Sequence, residues 1–172
     1  MNAPDITQLD REDILSRSSR SRQALLDAVR RLPVGEFNRA HGNEWSAATL
    51  LRHVVWVEFY WTALVRELQQ RGQPTLDIDK TVSENLAREA SRQAGTPPEP
   101  LPEPPPYATR DEALRGLDDS RRAFADVVAS LTADDLQRRF SNSRGVASLR
   151  FAVEHVIEHD WDHAVQIAGL RA

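Results

Sequence analysis

Apolar positions recur with a helical period in four stretches of the chain, and they nowhere alternate for long enough to argue a strand. In the first stretch, from about Asp10 to Leu32, one face holds Ile14, Leu25, Ala28, Val29 and Leu32, with Ser18 and Ser21 as small polar members of the same stripe. Pro33 and Gly35 stop it. The second runs from about Ala47 to Gln70 and turns Leu50, His53, Val54, Val57, Tyr60, Trp61, Leu64 and Leu68 inward. Ser46 is placed as its N-cap, Trp45 and Leu50 are spaced as a hydrophobic staple, and Gly72 and Pro74 end it. The third opens on Thr109 and Glu112 in capping-box spacing and carries Ala113, Leu117, Phe124, Val127, Val128 and Leu131. A turn over Thr132 to Leu136 and the polar segment SNSRG lead to the fourth, from about Ser148 to Ala168, with Gly169 as the stop.

Between the second and third stretches lies a long connection, Gln73 to Ala108, with room for one short helix around Ser83 to Gln93. It then enters TPPEPLPEPPPY, where proline density over residues 97–106 forbids helix and favours an extended path. Antiparallel neighbours are usually joined by loops of about 2–8 residues. The economical reading of so long a link is a crossover along the bundle, which makes the second and third helices parallel; a floppy surface loop is the alternative. The expectation is one all-α domain, a four-helix bundle over residues 1–172, without internal repeat.

Composition adds limits. With 28% charged and 40% hydrophobic residues, the 172-residue chain is ordinary globular material. A formal net charge of -4 gives no electrostatic footprint for nucleic acid. There is no cysteine, so any metal site must be built from His, Asp and Glu. The start, MNAPDITQLDRED, lacks the basic and apolar regions of a signal peptide, and no apolar run reaches the ~20 residues that span a bilayer. A cytoplasmic protein without membrane partners is the expectation. GxGxxG, P-loop and GxSxG patterns are absent.

The candidate chemistry lies in the histidines: His41, His53, His155, His159 and His163. The last three are spaced by four in EHVIEHDWDHAVQI, and a step of four drifts only ~40° around a helix, so they share a side. Against the stripe of Leu149, Val153, Val156 and Ile167, His163 lies near the centre, His159 slightly to one side and His155 at the edge. His53 sits inside the stripe of the second helix. Buried imidazoles need partners for both ring nitrogens, and one divalent cation satisfies three of them together. A hydrogen-bonded histidine core with water is the alternative. His41, in NRAHGNEW, is expected in an exposed loop. Glu58, Glu154, Glu158, Asp160 and Asp162 are the nearby acids, and Asp160 falls on the inner side, placed to act as a base or to orient a ligand histidine. The inward faces offer too few carboxylates for a di-iron site. Trp61 and Trp161 suit either the core or a dimer contact.

The stretches NEWSAATLLRHVVWVE, LTADDL and SLRFAVEHVIEHDWDHAVQI resemble the DinB-like superfamily, which also contains bacterial thiol-dependent S-transferases and the mycothiol-dependent maleylpyruvate isomerase. The resemblance spans nearly the whole chain in element order. It implies an up-down-down-up bundle, a nickel, zinc or iron ion held by His53, His159 and His163, and Gln166 completing H-x-x-x-H-x-x-Q. A second register, E-x-x-x-H-x-W-D with His155 in place of Glu, would make the ligands His53, His155 and His159; the first is preferred because His163 faces the core more squarely. The resemblance further implies a metal-dependent enzyme, with a low-molecular-weight thiol as co-substrate transferred to a small electrophile, and a homodimer. Metal-dependent hydrolysis and a non-catalytic metal-binding or partner-binding bundle are the alternatives.

Overall fold

A computed structural model describes residues 6–40, 42, 44–71, 106–142 and 145–170. Among the described residues four long helices form: α1 (Ile6–Arg31), α2 (Ala47–Arg71), α3 (Arg110–Ser130) and α5 (Leu149–Gly169). A single 3-10 turn, Val34–Glu36, follows α1. Short α4 (Ala133–Gln137) and the strands β1 (Arg139–Asn142) and β2 (Gly145–Ser148) stand between α3 and α5.

Local chemistry fixes where the helices begin. The Thr109 hydroxyl accepts from the Glu112 amide while the Glu112 carboxylate accepts from the Thr109 amide, which is the capping box expected for α3. Thr132 and Asp135 repeat the device at α4. Ser46 Oγ accepts from the Thr49 amide at α2, and Ser148 Oγ from the Phe151 amide at α5. Orphan carbonyls at the other ends meet arginines from elsewhere in the chain. Arg138 Nη1 donates to Leu68 O and Gln69 O at 3.1 and 3.2 Å near the end of α2, and Arg11 Nη1 donates to Ala129 O at 3.2 Å near the end of α3.

Ion pairs and hydrogen bonds fix the directions. Asp10–Arg150, Arg17–Glu154 and Arg22–Asp160 climb α1 and α5 together, so these run parallel. Glu58–Ser120 and Gln69–Ser130 do the same for α2 and α3. His53 meets His163 and Trp61 meets His155, so α2 and α5 are antiparallel. The order is up-down-down-up, as the long connection implied. The connection itself, with its expected short helix and all but the last of the proline-rich residues, lies outside the described residues.

One expectation is corrected. The polar segment after α4, where no strand was expected, carries two antiparallel strands: Arg139 pairs with Ser148, Phe140 with Ala147, Ser141 with Val146 and Asn142 with Gly145. Buried Phe140 anchors it, and the Leu149 amide donates to Arg138 O at 2.8 Å to close its base. Two strands of four residues are too short to print an alternating signature on the sequence.

The aliphatic members of the expected core stripes are buried, with His53, Tyr60 and Trp61 half-buried, and the core is divided. One apolar cluster gathers Ile14, Leu64, Leu68, Phe124, Leu136 and Phe140; another gathers Leu25, Val29, Leu50, Val54, Leu117 and Ile167. The buried polar residues Ser18, Ser21, Arg22, Glu58, Ser120 and Asp160 sit at the levels between them.

Candidate metal centre

Helix α2 supplies His53 and α5 supplies His159 and His163, all three half-buried. His159 Nε2 lies 3.3 Å from His53 Nε2 and 3.1 Å from His163 Nε2. One ligand atom from each residue falls within 4.8 Å of the others. Imidazoles bound at ~2.0–2.1 Å with angles of ~90–110° around an ion have nitrogens ~2.9–3.4 Å apart, so both measured edges fit a shared divalent ion.

A network of hydrogen bonds serves this arrangement less well. Each Nε2 has either one proton or one in-plane lone pair. The central Nε2 of His159 faces two others, and one proton position cannot satisfy both contacts in line. Three lone pairs directed at one point are satisfied together by a cation.

Neighbours fix the rings. The His163 Nδ1–H donates to Gln166 Oε1 at 2.8 Å, which leaves the Nε2 lone pair turned toward the other imidazoles. Trp45 packs its edge against His53, with ring centroids 5.2 Å apart. Burial, then the charges of His163, His53 and His155 and of Arg22, pushes His159 down to about 2. Burial also lowers His163, against the pull of Gln166 and Asp162. Both are therefore neutral near pH 7, the state a metal ligand needs.

The other candidates go elsewhere. His155 lies outside the convergent group: its ring stacks on Phe151 and meets the edge of Trp61, with its centroid 5.8 Å from that of His159. The geometry thus brings together the first register of the two. Trp61 packs on the core, whereas Trp161 is exposed. Glu154 takes a bidentate ion pair from Arg17, and Glu158 and Asp162 are exposed. His41 is outside the described residues. Asp160 faces away from the imidazoles, since one helical step turns it ~100° from His159 into the core. There Arg22 and Arg121 hold its oxygens. Burial raises its carboxyl to about 6 against the pull of both arginines, so it is ionised at neutral pH. The sequence expected a base or ligand orienter here; the structure places its two oxygens on guanidinium groups. The residues that sequence reasoning missed are its partners Arg22 and Arg121, which also hold Glu58, an acid the sequence did put near the site. Their signal was an arginine interrupting an apolar stripe on each of two helices.

A helical bundle with a three-histidine cluster between two antiparallel helices defines a class, and comparison with known proteins gives the family. The family model for the DinB superfamily matches residues 17–167, and the chain belongs to that superfamily. No curated protein sequence matches it. Among solved structures it is similar to YfiT from Bacillus subtilis, with 13% identity, a TM-score of 0.66, and coverage of 99% of this chain and 90% of that one. YfiT is described as "a probable metal-dependent hydrolase with an unusual four-helix bundle topology". At that identity the likeness shows the fold. Among the described residues, no helix is long and apolar enough to cross a membrane.

Proposed function

We propose that the protein is a metal-dependent enzyme that holds one divalent ion, nickel, zinc or iron, through His53, His159 and His163 and acts on a small molecule. The observation that carries this reading is the convergence of three imidazoles from two helices, with Nε2 edges of 3.1 and 3.3 Å. When bound, such an ion supplies Lewis acidity at positions its three protein ligands leave open, bringing the pKa of a coordinated nucleophile toward neutrality. The chain's own residues prepare the site. Burial keeps His159 and His163 unprotonated, Gln166 selects the tautomer of His163, and Trp45 limits the swing of His53. The rings of His155, Trp61 and Phe151 form an aromatic flank beside His159.

Hydrolysis is the reading taken, because water needs no second binding site and the description of YfiT names a hydrolase. Thiol transfer is the second reading. It is favoured by His159, His163 and Gln166, which keep the H-x-x-x-H-x-x-Q pattern of a superfamily that includes thiol S-transferases. Metal-stripped protein is expected to take up one equivalent of zinc, nickel, iron or cobalt. The loaded protein is then expected to hydrolyse members of a panel of activated esters, amides and lactones; product formed only when a low-molecular-weight thiol is present would select the second reading. His159→Ala is expected to lose both metal and turnover. A stripped protein that takes up none of these ions at micromolar concentration would end the proposal.

A further inference from the structure

Behind the imidazoles, each of the four long helices gives one charged residue to a closed ring: Arg22 from α1, Glu58 from α2, Arg121 from α3 and Asp160 from α5. The carboxylate side chains are 2% and 1% exposed and the arginine side chains 6% and 12%. Each guanidinium spans both carboxylates. Arg22 Nη2 donates to Glu58 Oε2 at 2.6 Å and to Asp160 Oδ1 at 3.2 Å. Arg121 sets Nε 2.9 Å from Glu58 Oε1 and donates from Nη2 to Asp160 Oδ2. The Nε contacts of both arginines are ionic approaches without hydrogen-bond alignment. The surroundings complete the ring: Ser120 Oγ donates to Glu58, Arg121 Nη1 donates to Ser18 Oγ, and Arg22 Nη1 donates to Leu117 O at 3.1 Å.

Stability alone does not account for such a ring. Taking four charges out of water is costly, and well-packed apolar replacements of buried ion pairs are often neutral or stabilising. What the ring does offer is geometry. Planar guanidinium forks accept their partners in few orientations, whereas aliphatic contacts tolerate sliding. Its two carboxylates belong to the two helices that carry the imidazoles. Asp160 directly follows His159 and precedes His163 by three residues; Glu58 follows His53 by five. The helices α1 and α3 add no imidazole, only the arginines that hold both carboxylates.

We propose that this ring sets the roll and height of α2 against α5, and with them the placement of His53 against His159 and His163; Arg22 and Arg121 are positioning residues of the metal centre. The inference rests on the metal reading of that centre. With a ring nitrogen ~6 Å from the helix axis, a roll of ~10° displaces it by ~1 Å. Metal–ligand distances hold to about 0.2 Å, so a slip that an apolar core absorbs breaks the site.

The test uses cobalt(II), whose visible spectrum reports ligand geometry and whose affinity is read by titration, without any assay of turnover. Arg121→Lys keeps the charge but loses the fork, and is expected to weaken cobalt binding about tenfold and to alter the visible band. Arg22→Met, Glu58→Leu, Arg121→Met and Asp160→Leu combined remove the ring without leaving an unpaired charge. That variant is expected to unfold cooperatively at no lower temperature than wild type, yet to bind cobalt at least as weakly as Arg121→Lys. Val128→Ala, in the distal apolar cluster, is the control for general destabilisation and is expected to lower the melting temperature with wild-type cobalt binding. Wild-type affinity and spectrum in Arg121→Lys, or an equal loss in Val128→Ala, overturns the inference. Should the combined variant not fold, Arg121→Lys decides. Wild-type protein that binds no cobalt removes the metal reading instead, which is a separate outcome.

Discussion

His159 holds its Nε2 between two other imidazole nitrogens, with the charge of Arg22 felt from behind, so a proton there is resisted on every side. The unfolded chain has no such resistance and protonates near pH 6.5. For the metal-free protein the sign follows. His159 and His163 are lowered in the folded state, so as pH falls from 8 to 6 the unfolded state binds more protons and stability is lost. Asp160 works in the opposite direction as pH falls toward and below about 6, where its raised carboxyl lets the folded state take the extra proton, so it offsets part of the loss at the acid end of that interval. Between pH 8 and 6 the loss from His159 is on the order of 1 kcal/mol. Metal-free wild type is expected to lose melting temperature over that interval, and His159→Leu to show a shallower slope; equal slopes in chemical or thermal unfolding would contradict the account. The three imidazoles were legible in the sequence because steps of four on one helix and a stripe position on another are local facts. The inward direction of Asp160 was legible too. Its partners were not, since Arg22 and Arg121 each look like a lone error in an apolar stripe until all four helices are placed together, and the link of Asp160 through them to Glu58 was hidden for the same reason. Ser18 and Ser120, small and buried, border the ring: Arg121 donates to the Ser18 hydroxyl, and Ser120 donates to Glu58.

At the scale of elements, the helices were readable wherever a cap or a stripe is written in consecutive residues, as at Thr109 with Glu112. The hairpin was not, because Phe140 is a single buried anchor and one residue makes no period. Arginines that close helix ends, Arg11 and Arg138, were invisible for another reason: their carbonyl partners lie 118, 69 and 70 positions away. Gly116 in α3 shows how a local rule yields to a tertiary contact. Glycine within a helix costs about 1 kcal/mol against alanine. Yet a Cβ at this position would stand 2.0 Å from the Tyr107 hydroxyl oxygen and 2.8 Å from its Cζ. That ring is held in turn by Arg52, whose Nη1 donates to the hydroxyl at 3.3 Å and whose guanidinium lies 5.1 Å from the ring centroid. The glycine leaves room for the Tyr107 side chain to lie against α3 and reach Arg52 of α2. Gly116→Ala is therefore expected to destabilise wild type, whereas in a Tyr107→Ala background the same change is expected to stabilise by about 0.5–1 kcal/mol. Urea unfolding of the four proteins checks it, and the same sign in both backgrounds would contradict the packing argument.

Across the whole molecule the bundle has two apolar halves with a charged ring between them, and the three imidazoles cluster at the level where that ring interrupts the core. The helix directions make this placement consequential. The parallel pairs α1 with α5 and α2 with α3 are held by ion pairs and hydrogen bonds along their lengths. The cluster of His53, His159 and His163 joins one pair to the other, from α2 to α5. Ligand binding there couples to the whole bundle, because global unfolding separates these helices and destroys the site. An ion that binds the folded state alone adds RT ln(1 + [M]/Kd), about 2.7 kcal/mol at a hundredfold excess over Kd. For a chain of this length each kcal/mol moves the midpoint by about 2–4 °C, so saturation is expected to raise the melting temperature by roughly 5–10 °C and chelation to reverse it. The rise should grow with the logarithm of free metal concentration, as linkage requires and nonspecific surface binding at millimolar metal does not. His53→Ala, which removes the only imidazole from α2 in the cluster, is expected to abolish the rise even though α5 keeps its pair one turn apart. Two imidazoles on one helix bind weakly and tie nothing to α2. A rise that persists in His53→Ala would mean that the ion sits on α5 alone, and the coupling of the two helix pairs through the metal would be wrong.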